Sequence, residues 1–471
     1  MPNKINHLFR RGLIALILTA AFGVNLVVSE TLPATITGPI KVGKIGDPAH
    51  NFIYNTSAID LKEYSYVEEE YFIEGRANRY TTPELQTGDI IDGDHPYLSR
   101  FFVRRPPANH FNGTVVIEWL NVTGGTDKDI DWWQSGHHLV RNGYAYIGVS
   151  AQRVGIDSLK EWSPARYGKL DVTAGGKITD DALSYDILSA ITKAVIRVGE
   201  SSANGQVDIL AGLKAKKIVA AGHSQSASRL AAYFNHVHPR EPLFDGAIIH
   251  GGGGLIRDDQ AVKIFKLMAE TDMARRAGTP QPNSQNFRQW EVAGSSHVDL
   301  LFEIEYARER ALADGESVQA AGARSPDCEL PPFSHVPFRD VMNAAFEHMQ
   351  KWIEDGTPPP TADPLALEKG VPEVKFARDD HGNILGGIRL AAHAIPTATN
   401  TGMNSGANRF CRLYGSHQPF AKDVLRKLYP NHGGYVNAVK KVVQENVAAG
   451  YILPYAAERT IREAENSSIG R

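Results

Sequence analysis

The chain has 471 residues, 42% of them hydrophobic, 22% charged and 9% aromatic, with 43 glycines, 26 prolines and two cysteines; this globular balance excludes disorder and fibrous repeats. Fifty Lys and Arg against 53 Asp and Glu leave a formal charge of −3, and no basic block interleaved with aromatics covers a phosphate backbone, which argues against nucleic acid as a partner. At ~150 residues per domain the length permits about three domains, although an open α/β sheet with insertions also reaches this size.

The N-terminus carries Lys4, Arg10 and Arg11, then an apolar run from Gly12 to Val28, with Val27 and Ser29 at the −3 and −1 positions of a cleavage site before Glu30. This is the pattern of a secretory signal peptide over residues 1–29; an uncleaved anchor is the competing reading, disfavoured because the run is at the short limit of a bilayer span. No later stretch is long and apolar enough to cross a membrane, so the expected location is periplasmic or secreted, free of the membrane once the leader is cut. In an oxidising compartment two thiols usually pair, so Cys328 and Cys411 are the predicted disulfide.

From residue 30 to 110 short alternating stretches, such as Tyr64 to Ile73 and Tyr97 to Val103, predict a β-rich segment of antiparallel strands. Between 111 and 355 the texture becomes strand, turn, helix, which predicts an α/β core with a mostly parallel sheet. Gly113–Leu120, Tyr144–Ser150, Lys217–Ala221, Asp245–His250, Val262–Ala269 and Gln289–Ala293 are the candidate strands. Ile187, Leu188, Ile191, Ala194, Val195 and Val198 recur with the period of a crossover helix, and Phe338 to Ile353 forms an amphipathic helix stopped by Gly356 and the prolines after it. Residues 356–471 are read as an extension packed on the core and stapled there by the disulfide, with a hairpin over 373–390 turned at Asp379–Asn383 and helices over 418–465.

The chemistry concentrates at Gly222-His223-Ser224-Gln225-Ser226, directly after an apolar strand and before a helical stretch, the setting of a nucleophile elbow. The other Gly-x-Ser triplets, ending at Ser150, Ser201, Ser296 and Ser317, lack the strand, the helix or both. Gly222 and Ser226 are the small flanking residues the tight turn needs, with Ser226 where Gly is usual; a helix-capping hydroxyl is the alternative for Ser224. A serine hydroxyl needs a histidine to take its proton and a carboxylate to orient that histidine. In the chain order Ser, acid, His, the base falls on His297, in the loop after the last strand, whereas the competitors His223 and His250 precede the acid. The acid falls in the turn after Ala269, where Asp272 is preferred and Glu270 is the alternative.

The oxyanion of a tetrahedral intermediate needs two N–H donors, expected from Gln225 and from the Asn121–Gly125 loop, with Val122 as the candidate within it. Asn121 and Trp133 are candidate substrate contacts, while Trp119 and Trp132 fit the core better. Asn112 and Asn121 head glycosylation sequons, and that of Asn121 is read as fortuitous because a glycan there would block the site. Asp127, Asp129 and Asp131 alternate as in a calcium loop but fail at its sixth and twelfth positions, Trp132 and His138. No zinc, phosphate-loop or dinucleotide motif occurs, so no metal or cofactor is expected.

At these residues the chain resembles a family of mostly bacterial exported proteins, the alpha/beta hydrolase domain family. The matching stretches are Glu118–Gly125 with Asp131 and Trp132, Leu183–Ile187, Gly222–Ser226, Glu270–Asp272, Trp290–His297, Trp352–Pro360, and Cys411–Ser416 with Pro419 and Phe420. The resemblance implies the α/β-hydrolase fold, helices on both faces of the sheet, and a serine hydrolase triad on Ser224 and His297, leaving the carboxylate open. The expected function is cleavage of a small-molecule carboxylic ester. Amide, thioester or lactone cleavage on the same triad and a non-catalytic binding ectodomain are the alternatives, and Ser224 at the elbow disfavours dehalogenation, which wants Asp there. Residues 154–180 and the C-terminal region are the candidates for a lid.

Overall fold

A computed structural model describes residues 32–197, 207–274, 280–324, 326–368 and 375–471, so the expected leader lies outside the described residues. The N-terminal stretches form β1 (Ala34–Thr37), β2 (Val67–Tyr80) and β3 (Ile90–Arg105), with β2 and β3 a long antiparallel hairpin from Val67 opposite Arg105 to Tyr80 opposite Ile90. The strand expected to open at Tyr64 opens later. Leu61–Tyr64 is a 3-10 turn capped by the Asp60 carboxylate, which accepts the Lys62 N–H at 3.0 Å, and Ser65 at φ 58° redirects the chain into β2.

The alternation that follows comprises β4 (Thr114–Trp119), α1 (Ile130–Arg141), β5 (Ala145–Ser150), α2 (Arg153–Trp162), α3 (Pro164–Tyr167), α4 (Ser184–Ile196), β6 (Lys217–His223) and α5 (Gln225–His236). It continues through β7 (Gly246–His250), β8 (Lys263–Ala269), α6 (Glu270–Met273), β9 (Phe287–Val292), α7 (Leu300–Ala313) and α8 (Phe338–Asp355). Val198, counted in the crossover-helix pattern, lies outside the described residues. The strands join one nine-stranded sheet in the order β1-β2-β3-β5-β4-β6-β7-β8-β9, parallel from β5 to β9 and antiparallel from β1 to the β3–β5 pair. The parallel strands are covered on both sides, which is why they read as unbroken apolar runs. In β4, Val115, Ile117 and Trp119 enter the apolar cluster under α4 and α5, while Val116 enters the cluster under α1 and α8.

The C-terminal region adds α9 (Ala391–Ala394), β10 (Ala398–Thr401), α10 (Cys411–Tyr414), β11 (Ser416–Pro419), α11 (Lys422–Leu428), α12 (His432–Ala448) and α13 (Pro454–Asn466). Within the stretch expected to be helical, 418–465, helices begin only after β11, which pairs with β10 in a two-stranded sheet that the periodicity did not anticipate. In the described part of the expected hairpin the chain turns back over Asp379–Asn383, with the Asp379 N–H donating to the Asn383 carbonyl at 2.9 Å, and its pairing is isolated bridges rather than a ladder. Val436, Val439 and Val443 of α12 and Ala456 of α13 share the apolar cluster of Val341, Phe346 and Met349 of α8. Cys328 and Cys411 are disulfide-bonded, with Cα atoms 5.6 Å apart. The bond joins the segment before α8 to α10, not to the C-terminal helix pair. Among the described residues no helix is long and apolar enough to cross a membrane.

Candidate active site

Ser224 is the single residue between β6 and α5, at φ 59° and ψ −110°, a conformation that costs a non-glycine residue on the order of 1–3 kcal/mol and lifts its side chain clear of both elements. Strand and helix approach closely enough that a Cβ on Gly222 would lie 2.8 Å from Leu230 Cδ1, and one on Gly252 would lie 2.5 Å from the Ser224 carbonyl oxygen. Ser226, standing where Gly is usual, is fully buried; its hydroxyl donates to the His223 carbonyl at 2.9 Å and accepts from the His223 N–H at 3.1 Å. The departure from the usual pattern thus adds hydrogen bonds that close the turn.

His297, in the loop after β9, places Nε2 2.8 Å from Ser224 Oγ and Nδ1 2.5 Å from Asp272 Oδ1. Asp272 Oδ2 accepts the Ala269 N–H at 2.7 Å. Burial acts to raise the Asp272 pKa, but the facing His297 and these hydrogen bonds outweigh it and hold the carboxyl below its usual range. An ionised Asp272 favours the proton on Nδ1 and leaves Nε2 as an acceptor for the serine hydroxyl. Glu270 faces elsewhere: its Oε1 accepts from Arg378 Nη2 at 2.6 Å, tying α6 to the C-terminal region, and burial pushes its pKa up. Of the two carboxylates left open by the sequence, the structure brings Asp272 to His297.

Behind His297 lies a second imidazole–carboxylate pair that the sequence did not announce. His250, at the end of β7, has Nδ1 2.9 Å from Asp131 Oδ1 and stacks on Phe338 at 4.7 Å and 14°. The His223 ring sits 4.3 Å from both His250 and His297, and neither of its ring nitrogens has a hydrogen-bond partner among the described residues. Burial first, then the two neighbouring imidazoles, pushes His223 well below the usual histidine range, so it is a neutral spacer. Glu118 at the end of β4 accepts the N–H groups of Asp131 and Trp132 and the Tyr146 hydroxyl, fixing the start of α1 and with it Asp131. Only the strand-end position of His250 was visible in the sequence; its pairing required α1 and β7 to meet across the sheet.

Asn121 lines the site, but its side chain is committed. Nδ2 donates to the His223 carbonyl and Oδ1 accepts the Thr123 N–H, both at 2.7 Å, which fastens the loop to the elbow. At 1% exposure it is closed to a glycan as well. The N–H groups of Val122 and Gln225 donate to no protein acceptor among the described residues. Asp127, Asp129 and Asp131 face three different partners, Arg100, Arg104 and His250. Trp133 walls the cavity beside Ser224 with Nε1 donating to Glu309 Oε2 at 2.9 Å, while Trp119 and Trp132 are held in the core by Gln152 and Ser57.

Two cavities flank the Ser224–His297 pair. One, of about 180 Å³, is walled by Trp133 of α1, Phe302 and Tyr306 of α7, and Phe410 and Tyr414 at α10, with Lys128 and Arg324 also in its lining. The other, of about 340 Å³, runs past Gln225, Gly252, Thr271 and Asp272 to Met403 and Arg412. Residues 154–180 line neither, whereas the C-terminal region reaches both. A cavity of about 360 Å³ between α8 and the C-terminal helices holds none of these groups.

Fold and site together define an α/β hydrolase with a serine at its elbow. The chain belongs to the alpha/beta hydrolase domain family, which it matches over residues 36–462. No curated protein matches it significantly. Among solved structures it is similar to an α/β serine hydrolase without a lid from Xanthomonas campestris, at 15% identity over 51% of this chain and 93% of that one, with a TM-score of 0.28. It is similar to an α/β serine hydrolase homologue from Coxiella burnetii, at 15% identity over 46% of this chain and 91% of that one, with a TM-score of 0.27. A rice cell wall degrading esterase, LipA, from Xanthomonas oryzae is similar at 11% identity over 47% of this chain and 50% of that one, with a TM-score of 0.23. None of these likenesses bears on substrate.

Proposed function

We propose that this protein is a serine hydrolase that cleaves a carboxylic ester through an acyl-enzyme. The observation that carries the reading is the strained Ser224 with His297 Nε2 at 2.8 Å, itself held by Asp272 at 2.5 Å. Ser224 Oγ attacks the ester carbonyl as His297 Nε2 takes its proton; Asp272 fixes the ring and stabilises the imidazolium. The oxyanion is received by the N–H groups of Gln225 and Val122, which have no protein acceptor among the described residues to give up. His297 then returns the proton to the departing alcohol, and a water repeats the sequence on the acyl-enzyme, releasing the acid and restoring Ser224. Residues 1–29 would direct export, and the Cys328–Cys411 disulfide suits the oxidising compartment, periplasmic or extracellular, that this implies.

Hydrolysis of a p-nitrophenyl ester series from acetate to decanoate by the purified protein, beside Ser224→Ala, tests the reading. Turnover should vanish in the variant, and a fluorophosphonate should label Ser224. No turnover of any ester together with no labelling overturns it and leaves a binding role for the fold.

A further inference from the structure

The cavity of about 180 Å³ beside Ser224 is walled by five aromatic rings. An apolar cavity of roughly 150 Å³ holds one benzene, so this one has room for a single substituted aromatic ring. Its two cations differ in what they have left to offer. Arg324 is matched by Glu303, to which Nε and Nη2 donate at 2.5 and 2.8 Å, and its guanidinium lies 5.0 Å over the Tyr306 ring. Lys128 Nζ donates only to the Thr126 carbonyl at 3.1 Å and the Thr126 hydroxyl at 2.8 Å, both neutral, and forms no ion pair among the described residues. The neighbouring carboxylates are committed elsewhere: Asp127 to Arg100 and Ser150, Glu309 to Trp133 and Asn55. Burial draws the Lys128 pKa down to about 8, so the ammonium is still mainly charged at neutral pH. It therefore retains one N–H donor and a charge with no ion-pair contact among the described residues, beside an aromatic-walled space.

We propose that the substrate places in this cavity an aromatic ring carrying an anionic group, received by Lys128, so that anionic aromatic esters are preferred over neutral ones of the same shape. This rests on the serine hydrolase reading above. Charge-assisted hydrogen bonds are the strong ones, and a preference of about tenfold or more in kcat/KM corresponds to one of them.

The test compares methyl 3- and 4-carboxybenzoate with the matching carbamoylbenzoates, which put the ring in the acyl half. The acetates of 3- and 4-hydroxybenzoate are compared with those of the hydroxybenzamides, which put it in the alcohol half. The carboxylates should win by about tenfold in at least one half, and Lys128→Gln should bring that ratio to within about twofold while Lys128→Arg restores part of it. Ratios near one in every pair, or a ratio that survives Lys128→Gln, overturn the proposal. Inhibition of wild-type p-nitrophenyl acetate turnover by isophthalate against isophthalamide reads the same preference without a variant, and equal inhibition overturns it too. Fluorophosphonate labelling of Ser224 on the same preparation separates the failures. Labelling without preference removes this proposal alone, whereas no labelling and no turnover remove the hydrolase reading with it.

Discussion

At Ser224 a strained backbone and a proton acceptor meet, and variants of the three residues should differ in degree. Ser224→Ala and His297→Ala are each expected to lower kcat by about 10⁶-fold, since members of a triad act as a unit. Asp272→Asn should cost about 10⁴-fold by favouring the wrong histidine tautomer. Glu270→Gln should leave kcat within about tenfold, because Glu270 pairs with Arg378 and it is Asp272 that meets His297. Steady-state kinetics on one activated ester checks all four. Ser224 and His297 were legible because each follows a strand in a recognisable turn. The choice between Glu270 and Asp272 was not, since both lie in one short turn, α6, and residues two apart on a helix point to nearly opposite sides. Which side faces His297 is decided by how β8 and β9 pack.

At the scale of elements, Gly252 lies against the elbow, and the Cβ of Gly252→Ala would meet the Ser224 carbonyl oxygen at 2.5 Å. The turn must shift, and a displacement of the Ser224 hydroxyl by a fraction of an ångström to 1 Å should reduce kcat by up to about 10²-fold while the protein stays folded, as circular dichroism would show. Asp186 of α4 tests the junction of that helix with β2. It accepts the Asn78 N–H and the Tyr80 hydroxyl, each at 2.7 Å, yet burial raises its pKa to about 6. Its folded pKa exceeds the unfolded one of ~3.9, so its contribution to stability is complete below about pH 4 and is lost as pH rises through 6. Wild-type stability should therefore fall between pH 4 and 6 by on the order of 2 kcal/mol more than that of Asp186→Asn, read by urea denaturation at both ends. The central strands were legible because burial on both faces leaves unbroken apolar runs. β10 and β11 were not, because four residues hold too little pattern to reveal a period.

At the scale of the whole molecule, segments far apart in sequence converge on the site. Arg100 and Arg104 of β3 are fully buried and bind Asp127 and Asp129, so the N-terminal hairpin holds the segment that leads from the Asn121 loop into α1. The disulfide holds the cavity wall at Phe410–Tyr414 against the segment before α8. Replacing both cysteines by serine removes a link spanning 83 residues, which is worth on the order of 4 kcal/mol in loop-closure entropy. A lower Tm and a raised KM, with kcat less affected, are the expected outcome; an unchanged Tm and KM would show that packing alone holds the wall.

The sequence by itself determined the order of strands and helices in the α/β core, the elbow at Ser224, the histidine at position 297 that meets it, and the cysteine pair. Each of these is written in local pattern: period, turn chemistry, or the presence of only two thiols. Tertiary structure alone decided that Asp272 rather than Glu270 meets His297, that Asp131 pairs with His250 behind it, and that Asn121 is spent on the elbow. It also decided that aromatic residues of α1, α7 and the start and end of α10 line one space beside Ser224 together with Lys128. These are contacts between residues tens to hundreds of positions apart, and they exist only once the twisted sheet has fixed which strand ends and helix faces point to the same side.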